Sequence, residues 1–218
     1  MKQLAVPTTL LLAVLTSSRP AAAAAPAGGD PAAEAAIRKT VDDVFAVLKD
    51  KSLAGKPLRA RRIAALRAIA DRSFDWAEMA RSSLGVVWRK LDAAERSRFV
   101  DVFKDVLAAE YMDDIDRFRG TEVVTVDGSS REGDDSVVRT TLVTSSRDRV
   151  PIEYRVRPRP NGVAIVDISI EAVSLVNHFR KTFANALANM SIAELIDRLR
   201  QQLPKPVAPK VDPKTDPR

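Results

Sequence analysis

The chain predicts an α+β domain, in which a curved antiparallel sheet of about four strands is covered by helices from both ends of the sequence. Two observations carry this: apolar residues recur every three or four positions up to Gly120, then every second position through four consecutive runs. The helical spacing returns after Ser174, so helices flank a strand meander instead of alternating with it. With 218 residues and 45% hydrophobic content, the chain supports one ordinary domain with a real core.

The first helix is expected in "DPAAEAAIRKTVDDVFAVLKDK", where Ile37, Val41, Val44, Phe45 and Leu48 share a face and Asp30-Pro31 reads as cap and first turn. A second helix follows Gly55 and Pro57 in "PLRARRIAALRAIADR", and a short third in "DWAEMARSSLG" stops at Gly85. The longest begins at Asp92, three residues before Glu95 as in a capping box; Phe99, Phe103, Val106, Leu107, Tyr111, Ile115 and Phe118 trace one face. Four strands are expected in "TEVVTVDG", "SVVRTTLVTSS", "VPIEYRVRPRP" and "GVAIVDISI". The polar stretch Asp127 to Ser136 reads as a hairpin loop between the first two. Two more helices are expected from Ser174 to about Ala188 and from Ser191 to Leu203.

The ends read differently. Residues 1–25 have Lys2, an apolar run from Leu4 to Leu15 and small residues at Ala23 and Ala25, the three-part pattern of a secretory signal. The expectation is an exported, periplasmic domain over residues 26–203. Residues 204–218 form a Pro/Lys-rich tail with five prolines and no apolar periodicity, expected to be disordered. Lys2 and Arg19 are the only charges before Asp30, so loss of the signal lowers the formal charge from +6 to +4. In an exported chain that modest surplus points toward anionic membrane surfaces rather than nucleic acid. No cysteine is present, so stability has to come from packing.

Catalytic chemistry is scarce. His178 is the only histidine, and without cysteine a zinc site would rest almost wholly on carboxylates, so no metal is expected. Asp167, Ser174 and His178 are close in sequence, but no Gly-x-Ser-x-Gly elbow presents the serine. Asp113-Asp114 and Asp134-Asp135 are expected at exposed ends and make poor acid/base pairs. The basic run Arg59 to Arg67 reads as a solvated helix face, with a docking patch as the sharper reading. No catalytic residue, cofactor or metal is assigned, and an enzyme is not expected.

The segment from Ser73 to Gly120, followed by the one from Pro151 to Phe183, resembles the MlaC family, also called toluene-tolerance auxiliary or Tgt2-like proteins. The shared motifs, in order, are Phe74-Asp75-Trp76, Ala80-Arg81, Leu84-Gly85 with Trp88, Phe99 with Phe103, Leu107 with Tyr111, Tyr154, Asp167-Ile168, Ser174-Leu175, Asn177 and Arg180. The resemblance covers about Ala32 to Leu203. It implies a periplasmic phospholipid carrier that maintains outer-membrane lipid asymmetry, with phospholipid as cargo. Its partners would be an inner-membrane ABC transporter complex and an outer-membrane lipoprotein/porin complex.

It also implies a deep apolar pocket between sheet and helices. Trp88, Phe103, Leu107, Tyr111, Tyr154, Ile168, Ile170, Val173, Val176 and Phe179 are the expected lipid-pocket residues, with ordinary core packing as the competing reading. The chain departs from the family pattern at Val163-Ala164, in place of a Trp, and at Ala172, in place of a Gly. The first bears on pocket shape and the second on backbone geometry. A hopanoid or other envelope-lipid carrier, a small-molecule enzyme on a similar cone with Asp167 as its acid/base candidate, and a filled-core interaction protein are the alternatives.

Overall fold

The computed structural model describes residues 29–203, the side chains of residue 56 and residues 112–116 excepted. The signal, the tail and the Asp113-Asp114 pair lie outside what is described. The α+β expectation holds: helices α1 (Pro31–Lys49), α2 (Arg59–Ser73), α3 (Trp76–Leu84) and α4 (Ala93–Asp116) precede the sheet, and α5 (Leu175–Leu187) and α6 (Ile192–Gln202) follow it. The sheet is an antiparallel meander in sequence order, β1 (Val123–Glu132), β2 (Asp135–Val143), β3 (Arg149–Arg159), β4 (Gly162–Ile170) and β5 (Val173–Ser174). The fifth strand has only two residues, too short to leave a periodic signal in the sequence.

The caps behave as their residue types require. Asp30 accepts from the Ala33 amide at 3.1 Å, and Asp92 and Glu95 each accept the other's backbone amide, at 2.7 and 3.0 Å. Ser191 and Glu194 form a second capping box at the start of α6. Gly85 ends α3 with φ +58°, a conformation open to glycine at little cost.

The stretch from Asp127 to Ser136 is not a loop: β1 and β2 run through it, leaving Gly133 and Asp134 as the turn. Its polar residues anchor the start of α1. Ser129 accepts from the Asp30 amide at 2.6 Å and donates to Glu34 at 2.7 Å, while Ser136 donates to Asp30 at 2.7 Å. Asp135 is buried, not exposed, because Arg157 on β3 clamps it with bonds of 2.7 and 3.0 Å. Register shifts beside Gly128 in β1 and between Arg155 and Val156 on β3 mark bulges. Bulges bend strands, which gives the sheet its curvature.

One sheet face carries Val138, Val156 and Ile165, on which Ala33 and Ile37 of α1 pack. The opposite face holds an ion-pair ladder, including Arg155 to Glu132 at 2.7 Å and Arg157 to Asp135. The segment between α2 and α3 closes the free side of β4: Phe74 bridges Ile165, and the Asp75 amide donates to the Ile165 carbonyl at 2.8 Å. The main core lies among α3, α4, α5 and α6. Phe99, Phe103, Phe179 and Phe183 are almost fully buried there, with ring centroids 5.4 to 6.2 Å apart, mostly edge to face. Such aromatic pairs add roughly 0.5–1.5 kcal/mol each beyond area burial.

Candidate functional site

β-pairing sets which sheet residues share the inner face. Val124 lies opposite Leu142, and Val126 opposite Thr140. Thr140 in turn faces Ile152, Val138 faces Tyr154, and Leu142 faces Val150. Ile152 then meets Ile170, and Tyr154 meets Ile168. These residues form one wall, and its burial changes along the strands. Toward the β1–β2 turn, Val138 and Val156 are covered by α1 and have no exposed surface. Toward the other end, Val124, Val126, Leu142, Val150, Ile152, Tyr154, Ile168 and Ile170 are all only partly buried.

A second wall repeats the gradient. On α1, Ala33 and Ile37 are buried, but Val41, Val44, Phe45 and Leu48, farther along the same face, are only half-buried. Ile63 of α2 and Tyr111 of α4 are likewise half-buried. The half-buried apolar side chains of both walls gather toward the end of the sheet where β4 turns into β5. Between α1 and β1, a groove of about 190 Å³ lined by Val41, Phe45, Val123 and Val124 with the charged Asp42, Lys49 and Glu122 opens from the side. That is below the roughly 300–1,000 Å³ of a small-molecule site, so it is a side opening and not a lipid pocket by itself. A larger groove of about 370 Å³ beside α6 is lined by Asn189, Glu194, Asp197, Arg198 and Gln201 with Met190, and its polar wall does not suit acyl chains.

The expected pocket residues divide between these regions. Phe103, Leu107, Val176 and Phe179 belong to the closed aromatic core. Trp88 is half-buried at the margin of that core, with the Arg96 guanidinium 5.5 Å from its ring centre. Tyr111 and Ile168 are half-buried and pack against it, and Ile168 also meets the core under α1. Tyr154, Ile168 and Ile170 stand together on the incompletely covered sheet face. Val173 is 41% exposed at the margin.

Tyr154 shows what kind of environment this is. Burial pushes its hydroxyl up to about 12, with a hydrogen bond to Thr140 acting the other way, yet the residue retains accessible surface. Val124, Val126, Leu142, Val150 and Ile152, together with Val44, Phe45 and Leu48, belong to the same walls and were not among the expected pocket residues. Their strand alternation and helical spacing were the signals that could have placed them there.

The Asp167, Ser174 and His178 cluster has a structural occupation. Ser174 caps α5 by accepting from the Asn177 amide at 3.0 Å, and it donates directly to Asp167 at 2.5 Å. Asp167 also accepts from the Val176 amide at 3.1 Å. A triad needs an imidazole between hydroxyl and carboxylate, and here serine and aspartate bond to each other. The junction is thus built by Asp167, which fixes the end of β4 to the first turn of α5.

No curated protein matches the sequence. Among solved structures, the phospholipid-binding protein from Ralstonia solanacearum, in complex with a phospholipid, superimposes with a TM-score of 0.68 and 24% identity. The match covers 78% of this chain and 95% of that one, and at this identity it speaks for a shared fold. The family model described as MlaC protein matches residues 38–201, three quarters of the chain. The chain belongs to the MlaC family.

Proposed function

We propose that this protein is a periplasmic phospholipid carrier that holds acyl chains between the sheet and the helices. In this reading it moves lipid between an outer-membrane complex and an inner-membrane ABC transporter, which preserves outer-membrane lipid asymmetry. The observation that carries the reading is the pair of apolar walls, fully packed at one end and only half covered at the other. Family membership and the phospholipid bound by the Ralstonia protein support it.

The energetics explain why such a carrier needs no reacting group. Two acyl chains carry on the order of 30 methylenes, and at about 0.8 kcal/mol each their transfer into water costs more than 20 kcal/mol. Moving them from a bilayer into an apolar pocket exchanges one greasy environment for another, so loading and unloading run near equilibrium. Direction then comes from the partners. The walls offer apolar contact along the chains and no defined anion site, so the headgroup is left toward the open end with little discrimination among headgroups.

Transfer of labelled phospholipid between two vesicle populations tests this. The protein is expected to accelerate exchange in proportion to its concentration, for phosphatidylethanolamine and phosphatidylglycerol alike. Exchange no faster than the spontaneous rate would contradict the proposal.

A further inference from the structure

The walls above use little of the surface where α3 hands over to α4. The connecting 3-10 turn, Gly85–Lys90, holds out Val86, which at 66% exposure is the most exposed of the large apolar residues described. Trp88 follows two residues later, half-buried, and Arg89 and Lys90 are exposed. Helix α5 packs beside α3, and Arg180 donates to the Ser82 carbonyl at 2.8 Å, which places Arg180 near the end of α3, with exposed Lys181 the next residue along α5.

The local charge is one-sided. Neither Met79 to Leu91 nor Ala172 to Ala193 contains an acidic residue, and between them they hold Arg81, Arg89, Lys90, His178, Arg180 and Lys181. The acids that flank these stretches are Glu78, which pairs with Arg81 and Arg157, Asp92 and Glu194, which sit at helix starts, and Glu171 in the turn before β5. Arg81 is neutralised by Glu78. Among the described residues, Arg89, Lys90, Arg180 and Lys181 make no ion pair.

We infer that this face, the Gly85–Lys90 turn with Arg180 and Lys181, docks on an anionic lipid surface. An exposed aliphatic side chain, a tryptophan just behind it and a ring of unpaired cations match what the interface of a charged bilayer attracts. Each lysine or arginine near such a surface strengthens binding about fivefold. An acidic protein surface would meet the same cations, and an absence of binding to anionic vesicles at low salt would point to it. The inference builds on the carrier reading, which supplies the reason for visiting a membrane.

The test uses protein expressed from the full chain and recovered as the cell processes it. It is sedimented with vesicles of phosphatidylglycerol and phosphatidylcholine in equal parts, and with vesicles of phosphatidylcholine alone. Binding is expected only to the anionic vesicles, weakening as salt rises to about 0.15 M because surface charges are screened. Arg89→Ala and Lys90→Ala are each expected to lower partition about fivefold, by the same per-charge figure, and Val86→Ser is expected to lower it further. All keep the parent melting temperature. Arg38→Ala, an exposed cation on α1, should leave partition unchanged.

Equal binding to both vesicles, no binding to anionic vesicles at low salt, or a loss in Arg38→Ala as large as in Arg89→Ala overturns the inference. Native mass spectrometry of the same samples reads the carrier claim separately. Docking with neither a lipid adduct nor uptake of labelled phospholipid sinks the carrier and leaves the surface standing, and an adduct without docking does the reverse.

Discussion

Glu171 and Ala172 carry φ of 49° and 65° in the two-residue turn that pairs Ile170 with Val173. A two-residue hairpin with both positions left-handed favours Asn-Gly, because a Cβ there crowds the backbone. The left-handed position costs roughly 1–2 kcal/mol, and glycine returns part of any gain through the greater freedom of the unfolded chain. Ala172→Gly is therefore expected to stabilise by about 0.5–1 kcal/mol, or a few degrees in melting temperature. A melting curve that is unchanged or lowered would contradict this account of the turn.

Asp30 works harder than a cap has to. Besides Ala33 it accepts from Ser136, 106 residues away, and fixes α1 to the β1–β2 hairpin. Asp30→Ala is expected to cost about 2–4 kcal/mol in urea unfolding, combining a lost cap with a buried serine left unpaired. The Ser136 hydroxyl, then the Ala33 amide, holds its carboxyl below the ordinary 3.8. The folded state therefore binds the proton more weakly than the unfolded state. The contribution is complete above that value and fades as pH falls through the lowered one. The stability gap between the parent and Asp30→Asn should narrow between about pH 7 and about pH 3.

At the scale of elements, periodicity made most of the fold legible and cut one hairpin short. Helical spacing located α1 to α6 because each buries a continuous stripe, and the strict alternation of Val150, Ile152, Tyr154 and Val156 located β3. The end of β1 and start of β2 looked like a loop because Ser129, Ser136 and Asp135 are polar. Their partners, Asp30 and Arg157, lie far away in sequence, and polar residues belong in a strand only once those partners are in place. The site was legible only in part for a related reason. Periodicity tells which residues turn inward, but the same apolar side chain serves a packed core or an open wall, and only the second layer decides between them.

That distinction is testable by adding volume. Ile170 is half-buried on the open wall, and Val176 lies nearly covered in the closed core. Ile170→Trp is expected to reduce bound lipid while the delipidated protein keeps its melting temperature. Val176→Trp overpacks, at a cost of about 1–3 kcal/mol. If the two variants lose stability equally, the open wall is ordinary core. Cutting into the core proper should be worse, with Phe103→Ala costing about 3–5 kcal/mol.

For the whole molecule, the chain from α1 to α6 encloses everything the account needs. Among the described residues, Leu203 is the last one packed against the core. Removing residues 204–218 should therefore leave the melting temperature and bound lipid at parent values, and a marked loss of either would give the tail a role in the fold. The larger claim is that helices and sheet are kept apart at one end by design of the sequence, with half-covered apolar residues facing each other across the space. Native mass spectrometry of the protein, purified gently from an envelope fraction, tests it most directly. The account predicts a single adduct with the mass of a diacyl phospholipid, reduced in Ile170→Trp. A bare protein that also takes up no labelled phospholipid from vesicles would contradict it.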